Sequence, residues 1–170
     1  MSVYSQAKPL FHTKSIDALR EGRIPAPVHV QMILSDLCNQ DCSFCAYRMS
    51  SGLSRELFVT PETHNPNRRM PTEKAHEIVA DCAEMGVKAI QFTGGGEPTV
   101  HRDWYKIISQ AQDLGMDTAL VTNGVKLNFQ NCLKYLQWVR VSVDAGTPDT
   151  YSRVRRVKKS QWLRVWANIK

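Results

Sequence analysis

Four short apolar runs, at residues 28–34, 87–93, 116–122 and 139–143, punctuate the chain, and the stretches between them repeat at a longer period. Such runs, bounded by turn formers, predict buried strands. Between the first two, Ala75, Ile78, Val79, Cys82 and Ala83 recur at the spacing of one helical face, with Thr72 placed to cap the start and Gly86 to stop the end. Trp104, Ile107, Ile108, Ala111 and Leu114 form a second such face over 103–114, closed by Gly115. A further helix is predicted over 130–137, burying Cys132, Leu133 and Leu136. Beyond Asp149 the chain reads as helical, with Trp162, Leu163, Val165, Trp166 and Ile169 as its apolar positions. A short helix over 15–20 precedes the first strand and is halted by Gly22, Pro25 and Pro27.

Strands alternating with helices of this length predict βαβ units, hence an α/β fold with a parallel sheet and right-handed crossovers. In that architecture every strand-to-helix loop opens at the C-terminal edge of the strands, where ligands bind. A chain of 170 residues is expected to form one core, with a lead-in over 1–27 and the main domain over 28–170. Residues 46–71 are long and polar for a connection, with an apolar patch at 57–59. They are expected to act as a lid or substrate contact, or to be an insertion with no catalytic part.

The loops on that edge carry the candidate chemistry. The first strand runs into Cys38-Asn39-Gln40-Asp41-Cys42-Ser43-Phe44-Cys45, three thiols that can hold one metal centre. A structural zinc wants four ligands, and His29 or His64, the available fourth, is not at zinc-finger spacing. A 4Fe-4S cubane takes one thiolate per iron, so three cysteines leave one iron open to an outside ligand. The second strand ends in Thr93-Gly94-Gly95-Gly96-Glu97-Pro98, the third in Thr122-Asn123-Gly124, and the fourth in Ser142-Val143-Asp144. Ordinary turn chemistry also accounts for the Asn-Gly and Asp-Ala-Gly segments.

The cysteine spacing, with the aromatic Phe44 before the last cysteine, and the glycine-glycine-glutamate turn together resemble the radical S-adenosylmethionine (SAM) superfamily, over roughly residues 27–156. That family usually has six βα units. The resemblance therefore implies a partial, truncated βα barrel with about four parallel units, the N-terminal part of the core domain. It also implies a 4Fe-4S cluster on Cys38, Cys42 and Cys45 with SAM on the open iron, cleaved reductively to begin radical chemistry on an unidentified substrate. Gly94, Gly95, Gly96 and Glu97 would face the SAM amino group, since glycines permit close approach. Thr122 and Ser142 would meet its carboxylate or ribose, and Phe44 would border the adenine with Tyr47 beside it. His101 and Arg102 read equally well as a solvated loop, and Cys82 and Cys132 as core residues. The implied partners are the substrate and an electron donor of flavodoxin or ferredoxin type. Two other readings stand beside the enzyme. One is a non-catalytic module that binds cluster or SAM, and the other is a split half completing a second chain's barrel or associating with itself, because the last strand leaves an edge to cover.

Composition narrows the remaining classes. With 42% hydrophobic and 22% charged residues the chain is not of the disordered type. No apolar run approaches the roughly 20 residues that span a bilayer. Residues 1–14 lack the apolar stretch of a secretory signal, so a cytoplasmic location is expected, where five cysteines stay reduced. The net charge of +6 and pI near 9.2 admit an anionic partner, nucleic acid included. The densest basic run, 153–159, offers no aromatic platform for bases and is predicted to be solvated surface.

Overall fold

Four strands lie side by side in chain order, all parallel: β1 (His29–Ile33), β2 (Ala89–Thr93), β3 (Asp117–Thr122) and β4 (Trp138–Val141). The computed structural model describes residues 8–47, 69–127 and 133–170. Ile33 is in register with Thr93, and Thr122 with Val141. The cysteine loop, the glycine turn and the two later strand ends consequently leave the same edge of the sheet. Each strand is a residue or two off its predicted bounds. Val28, for instance, stays outside β1 and gives its carbonyl to the amides of Lys88 and Ala89, at 3.0 and 3.1 Å.

Among the described residues, five helices accompany the sheet: α1 (Thr13–Arg20), α2 (Thr72–Met85), α3 (Trp104–Asp113), α4 (Pro148–Arg155) and α5 (Ser160–Ile169). The inward faces of α2 and α3 pack on the sheet, so that Val79, Ile107 and Ile108 close over Ile90, Phe92 and Leu120. Cys82 is in that core, as its helical position predicted. A second, smaller cluster joins Val125, Tyr151 and Val165 beneath α4 and α5. Helix α2 ends on Gly86 in the left-handed conformation (φ 89°), which a side chain would strain.

Several expectations are corrected. Thr72 is the first helical residue after the Pro71 cap, and its hydroxyl donates to Asp103 at 2.8 Å, tying α2 to the start of α3. Leu114 follows α3 and is exposed. Of the helix predicted over 130–137, the described part is a single 3-10 turn, Leu133–Tyr135; Cys132, His64 and the 57–59 patch lie outside the described residues. The helix expected beyond Asp149 breaks after α4, where Arg156 adopts a left-handed conformation (φ 52°). On α5 only Val165 is buried, while Leu163, Trp166 and Ile169 are exposed. No helix among the described residues is long and apolar enough to cross a membrane.

Asp103 gives the fold a pH signature. Hydrogen bonds from Lys106 first, then from Thr72 and Arg102, hold its carboxyl down at about 2. A depressed carboxyl stabilises the fold above the ordinary Asp value of about 4 and loses that contribution as pH falls toward 2. The urea midpoint of Asp103→Asn should therefore lie below the parent's at pH 6 and converge with it near pH 2. A gap that does not change with pH would show that the carboxylate charge plays no part.

Candidate functional site

A cavity of about 260 Å³ opens at the C-terminal edge of the sheet, and all ten residues singled out from the sequence line it. Cys38, Cys42, Cys45 and Phe44 come from the loop after β1, Gly94 to Glu97 from the turn after β2, and Thr122 and Ser142 from the ends of β3 and β4. Tyr47, Asn123 and Asp144 line it as well.

The glycine turn is built against the cysteine loop. The Gly96 amide donates to the Ser35 carbonyl at 2.9 Å and the Glu97 amide to that of Leu37 at 2.8 Å. A β-carbon on Gly96 would sit 2.0 Å from the Leu37 oxygen, and one on Gly94 2.1 Å from the Gly96 oxygen. Both glycines are thus required by the chain's own backbone. Gly95 differs: its β-carbon would meet the Asp36 carboxylate at 2.8 Å and the Tyr47 ring at 3.7 Å, both side-chain atoms.

Glu97 is 2% exposed, and its carboxylate faces inward. One oxygen accepts from the Thr99 amide at 3.1 Å, the Thr99 hydroxyl at 2.7 Å and the Thr122 hydroxyl at 2.6 Å; the other accepts from the Asn123 amide at 2.7 Å. The Thr122 hydroxyl also accepts from the Gly124 amide at 3.1 Å. Glu97 and Thr122 therefore knot the glycine turn to the end of β3. Asn123 extends that knot to the cysteine loop, its amide donating to Asn39 at 2.7 Å and lying 4.0 Å from the Cys38 sulfur.

Sequence reasoning missed Arg155, which it placed on a solvated surface. The side chain is 4% exposed and points into the cavity. Its Nη1 donates to the Gln40 side-chain oxygen at 2.7 Å and lies 3.6 Å from the Cys42 sulfur. Its Nη2 bonds the Ser142 carbonyl at 2.5 Å and pairs with Asp144. The Phe44 and Tyr151 rings each lie 5.6 Å from the guanidinium carbon. The available signal was helical spacing, since Tyr151 and Arg155 are four apart on the buried face of α4. Gln40 was missed too. This buried residue of the cysteine loop donates to the Tyr151 hydroxyl at 2.7 Å and to Gln161 at 3.1 Å.

Burial raises the Cys42 thiol above its usual range, and the charge and hydrogen bond of Arg155 oppose that rise. Burial likewise raises Cys82, which lies in the core away from the cavity. Of the two readings left open for His101, the solvated loop does not hold. It is buried, with Nε2 on the Met70 carbonyl at 2.9 Å and Nδ1 accepting from the Asp103 amide at 3.2 Å, a pattern that puts its proton on Nε2. The zinc alternative loses one ligand source, because His29 begins β1, a strand's length from the cysteines. Among the described residues, no three His, Cys, Asp or Glu side chains are grouped to ligate a single metal ion. Three soft thiols on one cavity wall, beside a buried cation whose Nε has no hydrogen-bond partner, suit a larger anionic group held by thiolates.

Comparison with known proteins agrees with this chemistry. An S-adenosylmethionine-dependent nucleotide dehydratase of Lacinutrix mariniflava is 37% identical over 123 residues, covering 70% of this chain and 24% of that protein. A GTP 3',8-cyclase of Staphylococcus epidermidis is 30% identical over 152 residues, covering 84% of this chain and 42% of its own length. The chain spans less than half the length of these curated relatives and matches their N-terminal part. Streptococcus suis SuiB bound to its precursor peptide SuiA shares the fold, with a TM-score of 0.61 at 15% identity over 96% of this chain and 35% of SuiB. BtrN in complex with AdoMet and 2-DOIA shares it with a TM-score of 0.54 at 15% identity, over 81% of this chain and 55% of that one. Family members use a 4Fe-4S cluster and SAM. The profile of the radical SAM superfamily matches residues 32–170, and the chain belongs to that superfamily.

Proposed function

We propose that Cys38, Cys42 and Cys45 hold a 4Fe-4S cluster with SAM beside it, and that the chain is the cofactor-binding part of a radical SAM enzyme acting on a nucleotide. The observation that carries this proposal is the convergence of the three cysteines, the glycine turn and the ends of β3 and β4 on one cavity. When bound, cluster and SAM supply reductive cleavage of SAM and abstraction of a hydrogen atom from the substrate. The chain's own residues bind and orient. Arg155 offsets the negative charge of the thiolates, Gly95 lines the cavity without a side chain that would press on Asp36, and Ser142 and Phe44 border the same space. Glu97 and Thr122 act by positioning, because each oxygen of that carboxylate already accepts from the chain. A nucleotide substrate is supported by the names of the relatives, a nucleotide dehydratase and a GTP cyclase, and agrees with the net charge of +6.

Anaerobic reconstitution should load about four irons and four sulfides per chain. Cys42→Ala should lose them, and Cys82→Ala should keep them. Stoichiometric zinc without iron would defeat the proposal. Loaded protein should form 5'-deoxyadenosine under dithionite faster with a nucleoside triphosphate than with a peptide. Slow turnover by this chain should rise when the C-terminal remainder of a relative is supplied.

Gly96 and Gly95 should separate. Gly96→Ala, forced against the Leu37 carbonyl, should lower stability by about 1–3 kcal/mol and reduce iron uptake. Gly95→Val should keep iron and weaken SAM binding, read by equilibrium dialysis at fixed salt. Equal SAM affinity in the Gly95 variant and the parent would count against that wall.

A further inference from the structure

Gln40 stands in the loop after β1 between Cys38 and Cys42, and its side chain is as deeply buried as that of Arg155, each residue being 4% exposed. Its orientation follows from its partners. A guanidinium only donates, so the Gln40 oxygen must face Arg155 Nη1, 2.7 Å away. The Gln40 nitrogen then donates to the Tyr151 hydroxyl at 2.7 Å and to the Gln161 side-chain oxygen at 3.1 Å. Those two acceptors stand on different helices, α4 and α5. Two helices therefore fix the carboxamide, and it presents a fixed acceptor to the arginine.

That contact allots the hydrogens of the guanidinium. The Ser142 carbonyl and Asp144 occupy Nη2. Nη1 carries two hydrogens, and with one on the Gln40 oxygen the other is left for the Cys42 sulfur at 3.6 Å. Ser142 and Asp144 hold one end of the planar fork and Gln40 holds the other, so the plane cannot turn away from the sulfur. The choice of side chain is specific. A glutamate here would hold Nη1 as well but would cancel its charge, and a leucine would leave a buried donor without its acceptor. A neutral amide orients the cation and leaves its charge to the sulfur.

We infer that Gln40 is a positioning residue of the redox centre, one that raises the reduction potential of a cluster on these cysteines by fixing Arg155 against the Cys42 sulfur. The inference rests on the cluster reading proposed above. Reduction adds one electron, hence one negative charge, to the thiolate-held group, so a cation and an N–H donor on a ligand sulfur favour the reduced member of the couple. Burial preserves the effect, because salt and water screen buried charge weakly. Gln40 acts through Arg155. Its own oxygen lies 3.9 Å from the same sulfur, a contact in which only a protonated thiol can donate.

The test is an anaerobic, electrochemically poised redox titration of the reconstituted chain, followed by cluster absorbance and scored per iron bound. At the potential that half-reduces the parent, Gln40→Met should lower the ratio of reduced to oxidised cluster by about tenfold, which is about 59 mV for one electron. Gln40→Asn keeps a buried amide one methylene short of Arg155 and should shift the ratio in the same direction, which decides the matter if the Met variant folds poorly. In an Arg155→Met background, Gln40→Met should add no further shift. Cys82→Ala, which loosens the core away from the cavity, should lower the thermal midpoint and keep the parent's potential. A merely structural Gln40 would behave like Cys82. Gln40 variants that load iron and titrate with the parent overturn the inference and leave the cluster reading intact, and a shift of equal size with and without Arg155 overturns it too. A parent chain that takes up no iron overturns both.

Discussion

A guanidinium taken out of water must be surrounded by acceptors, and the site depends on how Arg155 meets that demand. Its partners come from three places: Gln40 and Cys42 in the cysteine loop, the Ser142 carbonyl and Asp144 after β4, and the Tyr151 ring on its own helix. Satisfying one buried cation thereby fixes the relative positions of the first and last strand-to-helix loops, which no backbone pairing joins among the described residues. The same cation faces the Cys42 thiol, and its charge and hydrogen bond oppose the rise that burial imposes there. Holding the loop in place and favouring thiolate are one interaction.

Glu97 plays the complementary part between the middle loops. Its carboxylate gathers donors from the glycine turn and from the end of β3, and Asn123 passes the connection on to Asn39. Two polar knots, one cationic and one anionic, close the C-terminal edge above an apolar core. The backbone yields around the first of them: Asp144 and Arg156, on either side of the Arg155 contacts, are the described non-glycine residues at positive φ. Strain of this kind persists where the surrounding contacts overdetermine a conformation. Here those contacts are the hydrogen bonds of one arginine.

The sheet was legible because strand identity depends on local pattern, and so was the membership of the cavity, since parallel strands send all their loops to one edge. Cysteine spacing and the glycine turn added the chemistry. Arg155 was illegible for a definite reason. Its partners Gln40 and Cys42 lie more than a hundred positions away, and a run of cations looks solvated unless its helical phase with Tyr151 is weighed first. His101 was left open for a related reason, its burial being set by Met70 and the start of α3. Leu163, Trp166 and Ile169 erred oppositely, because an apolar face predicts burial only where a second surface covers it. Gly94 and Gly96 were recognised as necessary for a cofactor, whereas the structure makes them necessary first for the chain's own backbone.

The cysteine loop has two faces, and the fold treats them differently. Its inner face borders Gly95 and Ser142, where space is left open, while its outer face is bound by the carbonyls of Val154 and Arg155 at the end of α4. Since α4 follows β4, the last described strand secures the loop of the first. The side chains between the faces, Gln40 and Arg155, touch both: Gln40 reaches Gln161 of α5 on one side and Arg155 on the other. Charge at the exposed positions 153 and 158 acts only through solvent, where ions screen it within about 10 Å at 0.1 M salt. The loop is thus tied to the end of α4 by two buried side chains and not by the surface charge around it.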